Sequence, residues 1–160
     1  MWHRARQFFE AGRQPTESDL RVAGERLSPE LLRLFLAQHP RDIVHATGTA
    51  RWLLDRGHAD PDLVVAALLH DVGKGHQRRA DRVAYVVAAA VNAERGLASE
   101  RSRFEVRRAA ARTLVHSEAG AVLLGELGAP ARVVDLTFRH HSPARGDAML
   151  VLLQEADSAN

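Results

Sequence analysis

The chain has 160 residues, 46% of them hydrophobic, which suits one domain around one core and leaves no material for a second. With no cysteine it can build no disulfide framework, thiolate nucleophile, zinc ribbon or iron-sulfur cluster, so any metal falls to histidine and carboxylate. A formal charge of +2, with every basic residue but one an arginine, gives little pull on a polyanion, and a nucleic-acid partner is not expected.

Apolar residues recur at spacings of three and four, and Ala, Leu, Arg and Glu outweigh any β-branched alternation, so the expected class is all-α. The spacing predicts helices over 2–11 and 16–26. Ser28-Pro29-Glu30 then supplies a capping residue and a first-turn proline for a helix over 29–38. A helix over 41–56 runs to the stop at Gly57, and Asp60-Pro61-Asp62 starts the next, over 61–70. Helices over 79–93 and 100–115 follow, joined by a connection at 92–102 expected to be the most mobile. The five arginines between Arg101 and Arg112 read as a solvated helix face, since Phe104 is the only aromatic among them. Helices over 118–127, 130–141 and 147–157 complete the series, with Gly128 as a stop. The longest apolar runs, Leu63 to Leu69 and Val83 to Val91, fall far short of the roughly 18 to 20 residues a bilayer span needs. Met1 to Glu10 is broken by charge and has no secretory h-region, so a cytoplasmic protein without membrane contact is expected.

Of the nine histidines, several stand on or at the end of apolar helices. His70 and Asp71 close Leu63-Val64-Val65-Ala66-Ala67-Leu68-Leu69, a helix apolar all round that must carry both into the interior, where an imidazole and a carboxylate need partners. His45 shares its helix face with Gly48, Thr49 and Trp52, which leaves room beside its ring. His140 follows Val133 and Leu136 on one face, and Asp157 follows Leu150 and Leu153, so both point toward the core. His116, placed in a break between two helices, is expected to reach inward from a loop. Together His45, His70, Asp71, His116, His140 and Asp157 suit a pair of divalent cations such as Mn, Fe, Co, Ni or Mg, with Asp71 as the bridge and open positions for water and substrate.

The ordered series His45, Ala67-Leu68-Leu69-His70-Asp71-Val72-Gly73-Lys74, His116, His140 and Ala156-Asp157 resembles the HD superfamily of metal-dependent phosphohydrolases over about residues 41–160. The resemblance implies a helical bundle enclosing a metal site, with 1–160 as a single HD domain and residues 1–40 as a helical extension. His116-Ser117-Glu118-Ala119-Gly120 and Arg139-His140-His141 are similar to the binuclear branches, among them the symmetrical dinucleoside tetraphosphate hydrolases and the HD-GYP cyclic-dinucleotide phosphodiesterases. The chain departs from the HD-GYP pattern in two places. Ser142-Pro143-Ala144-Arg145-Gly146-Asp147 stands in place of Gly-Tyr-Pro, and Arg41 stands where a glutamate often precedes the first histidine, so neither a third metal nor cyclic di-GMP specificity is implied. His140 is taken as the ligand; His141 is its alternative, or a donor or proton shuttle behind it.

Lys74 is the only lysine in a chain that otherwise uses arginine. Beside a dinuclear site its compact ammonium suits a phosphate oxygen, which makes Asp71 and Lys74 the catalytic candidates. Lys74, Arg78, Arg139 and His141 are the candidates for substrate contact, with Arg79 and Arg145 as further cations. The expected activity is hydrolysis of a phosphate ester or anhydride in a small, nucleotide-like or other phosphorylated substrate. A mixed-valent di-iron oxygenase and a non-catalytic nucleotide-binding or regulatory module are the alternatives on the same ligands.

Overall fold

The computed structural model describes residues 14–74 and 105–160. The helices expected over 2–11 and 79–93, with Arg78 and Arg79, lie outside the described residues. Among those described there are seven α-helices, one 3-10 turn and no strand, in agreement with the all-α expectation. They are α1 (Glu17–Gly24), α2 (Pro29–Leu36), α3 (Pro40–Leu54), α4 (Pro61–Leu69), the turn Val72–Lys74, α5 (Glu105–Glu126), α6 (Ala131–Arg139) and α7 (Ala148–Ala159).

Local chemistry explains most starts. Thr16 and Asp19 form a reciprocal capping box on α1, and Ser28 and Asp60 cap α2 and α4 ahead of first-turn prolines. His39 caps α3 through its ring, which accepts from the Arg41 backbone amide. Asp147 accepts from Leu150 N to open α7. Gly57 and Gly128 follow α3 and α5 with φ of 82° and 72°, a left-handed stop that a Cβ would strain.

One expected break is absent, while the other helix ends that can be compared fall within two residues of expectation. No break separates 115 from 118; α5 runs unbroken through His116, which sits on a helix and not in a loop. Serine is a residue type that favours helix caps, yet Ser117 is buried, and α5 packs along α6 and the Val72–Lys74 turn. That packing keeps the segment helical against the local capping preference of serine.

α4 is the centre of the molecule, packed by α3, α6 and α7, with Leu63, Val64, Ala66, Ala67, Leu68 and Leu69 all buried. Each large aliphatic side chain there contributes about 1.5–3 kcal/mol by leaving water. The end of α4 is therefore firmly held among the described helices, and the His70-Asp71 pair is mounted on it. α1 is pinned to α3 by the buried Asp19, whose carboxylate accepts from Thr16 and from Arg51 Nη1. No described helix is long and apolar enough to cross a membrane.

Candidate metal centre

His70 and His140 stand at the C-caps of α4 and α6, and each turns Nδ1 back onto the carbonyl three residues earlier: Ala67 at 2.9 Å and Thr137 at 2.6 Å. A carbonyl only accepts, so Nδ1 carries the hydrogen, and in the neutral ring Nε2 keeps its lone pair. Both Nε2 atoms are buried with no hydrogen-bond partner, as is Asp71 Oδ1. Three buried acceptors with no donor would be costly if left unpaired.

These atoms face one another. Asp71 Oδ2 lies 3.5 Å from His70 Nε2 and 3.9 Å from His45 Nε2, while its Oδ1 lies 3.4 Å from His116 Nε2 and 3.9 Å from His140 Nε2. On the first side Asp157 Oδ1 stands 2.9 Å from His45 Nε2 and 3.3 Å from His70 Nε2. On the second, His116 and His141 meet Nε2 to Nε2 at 3.1 Å, a separation that requires a proton or a cation between two like-polarised nitrogens. Two donor sets result, His45-His70-Asp157 and Asp71-His116-His140-His141, each with its ligand atoms within 4.8 Å of one another. Bonds of about 2.0–2.2 Å to a divalent ion place neighbouring ligand atoms about 3.0–3.5 Å apart, and the separations above, from 2.9 to 3.9 Å, lie around that spacing. The residues fit a divalent cation in each set, with Asp71 between them.

The electrostatics agree. Burial works against the charge on Asp71, but His70, Lys74 and His116 outweigh it and hold the carboxyl below its ordinary range. Asp157 is likewise disfavoured by burial and held low by its hydrogen bond with His45 and by the nearby His70 and His45 rings. Burial, reinforced by His70, pushes His140 down to about 3, so its ring is neutral. Burial also lowers His141. His70 is the exception: burial opposes its charge, yet Asp71 and Asp157 raise its proton affinity above the ordinary histidine value. Neutral imidazoles and ionised carboxylates are the forms that bind metal.

The structure thus brings together all six residues read as ligands, His45, His70, Asp71, His116, His140 and Asp157, and adds His141 beside His140 where the sequence left a choice between them. Lys74, 43% exposed, places its ammonium on Asp71 Oδ2. Arg139 is drawn elsewhere: its guanidinium donates to Asp135 and Asp147, at 3.1 Å each, in a network that also holds Arg132. Its position beside His140 in sequence places it on another face, because consecutive helical residues diverge. Arg145 lies in the loop before α7, at φ 48°.

Two features went unread in the sequence. Arg41, Asp42 and Asn160 line a cleft of about 340 Å³ together with His45, Asp71 and Lys74. The signal for Arg41 was its spacing of four from His45, which puts both on one face of α3. Gln154 donates to the carbonyls of His140 and Ser142, at 3.0 and 2.6 Å, and ties the end of α6 to the helix that carries Asp157.

Comparison with curated proteins gave no match, and neither did comparison with solved structures. The model of one protein family, the HD domain, matches residues 36–159, which contain every residue of the two donor sets. The chain belongs to the HD domain family, whose members are mostly metal-dependent hydrolases that bind divalent cations.

Proposed function

We propose that this chain hydrolyses a phosphate ester or anhydride in a small phosphorylated substrate, with two divalent cations held by His45, His70 and Asp157 on one side and His116, His140 and His141 on the other, Asp71 serving both. Asp71 and Lys74 would carry the chemistry. The observation that bears most of the weight is the contact of the Lys74 ammonium with Asp71 in the lining of an open cleft, which sets a cation next to the donors and within reach of solvent.

When bound, the cations supply a water acidic enough to attack phosphorus near neutral pH and positive charge for the oxygens of the group being transferred. The chain does the rest. Asp71 holds the two donor sets in register through its separate oxygens. Lys74 contacts a non-bridging phosphate oxygen as a point charge and offsets the negative charge that builds there. The Nδ1 hydrogens of His70 and His140 stay on the Ala67 and Thr137 carbonyls and fix both rings in the ligand tautomer.

The test combines elemental analysis of purified protein with phosphate release from p-nitrophenyl phosphate and nucleotides after loading with Mn, Fe, Co, Ni or Mg. Metal in the preparation and phosphate release are expected. Lys74→Ala should keep the metal and lose most of the turnover. Iron content with oxygen uptake and no phosphate release over the panel would reject hydrolysis in favour of an oxygenase. A metal-bearing protein that binds nucleotide without turnover would reject it in favour of a regulatory module.

A further inference from the structure

The cleft over the donors is larger than one phosphoryl group needs. At about 340 Å³ it lies in the range of sites for molecules of nucleotide size. Beyond the metal donors its lining holds two cations, Arg41 and Lys74, against one carboxylate, Asp42. They come from different elements, Arg41 from the first turn of α3 and Lys74 from the turn after α4, so the opening is flanked by positive charge on two walls.

Helix stability does not account for Arg41. It occupies the second position of α3, where the macrodipole and the free amides favour an anion and disfavour a cation. Among the described residues no carboxylate or carbonyl engages its guanidinium, while its backbone amide donates to the His39 ring. Arg132 and Arg139, by contrast, are locked to Asp135 and Asp147, and Arg51 to Asp19. An exposed, unpaired guanidinium at a helix start, on the same face as a metal donor and facing a cleft, lacks an anion. Its planar fork takes two oxygens of one phosphate at once, which the Lys74 ammonium cannot do.

We propose that Arg41 is a specificity-determining residue that grips a second, non-reacting phosphate while Lys74 attends the reacting one, so that the site prefers a phosphoanhydride chain over a simple monoester. This rests on the hydrolase reading for the identity of the reacting group, and its test is chosen to stand apart from turnover.

Titration calorimetry on the full-length, manganese-loaded protein would compare imidodiphosphate, which resists hydrolysis, with orthophosphate. Wild type should bind imidodiphosphate at least tenfold more tightly. Arg41→Ala should remove most of that ratio and Arg41→Lys should keep part of it, because the charge survives and the fork does not. A ratio near one in wild type, or one unmoved by Arg41→Ala, would overturn the proposal. Running α,β-methylene-ADP beside imidodiphosphate separates a nucleotide-borne chain from an inorganic one; an Arg41-dependent gain on either supports the grip.

The same preparations would be assayed for turnover of pyrophosphate and p-nitrophenyl phosphate. Arg41→Ala should lower kcat/KM for the diphosphate at least tenfold more than for the monoester, chiefly through KM. Equal losses on both would sink the grip and leave the hydrolase standing. No turnover of either by wild type, with the binding ratio intact and dependent on Arg41, would sink the hydrolase and leave the grip.

Discussion

Gly73 lies so close to His116 that a Cβ at residue 73 would overlap the His116 carbonyl oxygen and stand 2.8 Å from the Gly120 backbone nitrogen. The turn carrying Asp71 and Lys74 is thereby seated directly on α5, which carries His116, and the two donor sets close on each other. Gly73→Ala must push turn and helix apart, since the obstacle is backbone and cannot rotate away. Overpacking of this kind costs about 3 kcal/mol, or a fall of roughly 6–12 °C in melting temperature. Metal content should fall with it. A variant that melts like wild type and keeps its metal would show that the close approach is not needed.

Asp71→Asn keeps the shape of the side chain and removes the charge shared by both donor sets. Metal content measured by elemental analysis should drop for both ions, and phosphate release should fall by more than the roughly 100-fold typical of losing a partner behind a ligand. Asp71→Ala should go further and loosen the fold, because His70 and Lys74 then face an empty, buried space. An asparagine variant that retains two ions would contradict the shared-carboxylate assignment.

Gln154 offers a way to separate the two sets. Its hydrogen bonds go to the His140 and Ser142 carbonyls and not to a donor ring. Gln154→Leu removes both hydrogen bonds at a cost of about 1–3 kcal/mol and frees the end of α6, while Asp157, on its own turn of α7, keeps its place beside His45 and His70. Affinity for one ion should fall about 10- to 100-fold and the other should hold, so limiting metal gives a stoichiometry near one. Equal weakening of both ions would mean that Gln154 supports the fold at large and does not position His140 and His141.

The helix starts were legible because capping and proline chemistry is local: Ser28-Pro29 and Asp60-Pro61 each gave the start of a helix directly. The break expected between 115 and 118 does not form, and there the packing of α5, with Ser117 buried in it, prevailed. The donor residues were legible because each is an ionisable group at the end or on the apolar face of a helix, where it would be costly without a partner. The pair His140 and His141 was harder, since neighbours on a helix point apart; α6 ends at Arg139, and both rings that follow stand beside His116, at centroid separations of 5.5 and 5.1 Å, and 3.8 Å from each other. Gln154 and the partners of Arg139 depend on which helices meet, and no local spacing records that; the spacing of Arg41 from His45 records their shared face but not the cleft that they line.

The extension ahead of the family match is held by chemistry of its own. Asp19 is buried, and although burial disfavours its charge, Thr16 and Arg51 hold the carboxyl below its ordinary range. Asp19→Ala removes the capping box of α1 and its tie to α3 together, an expected loss of about 2 kcal/mol. Arg51 is partly exposed and is not left as a buried charge, which keeps the cost from rising further. Chemical unfolding of the variant should show that loss with metal content unchanged, because the donors lie on the far side of α3. A loss of metal would instead tie α1 to the stability of the site.

Asp147 should make part of the stability depend on acidity. Hydrogen bonds from Arg132, then from the Leu150 amide and Arg139, draw its pKa down to about 2 from an ordinary 3.8. The unfolded chain therefore takes up the proton more readily than the folded one, so the network's contribution is fully present above about pH 4 and disappears as the pH falls through about 2. Asp147→Asn keeps an acceptor for the α7 cap and removes the charge that Arg132 and Arg139 share. The gap in stability between wild type and variant, about 1 kcal/mol for partly exposed pairs, should hold at neutral pH and close on acidification. If the gap stayed constant as the pH dropped, the effect would belong to cap geometry, and the ion pairs that fasten α6 to α7 would contribute nothing through charge.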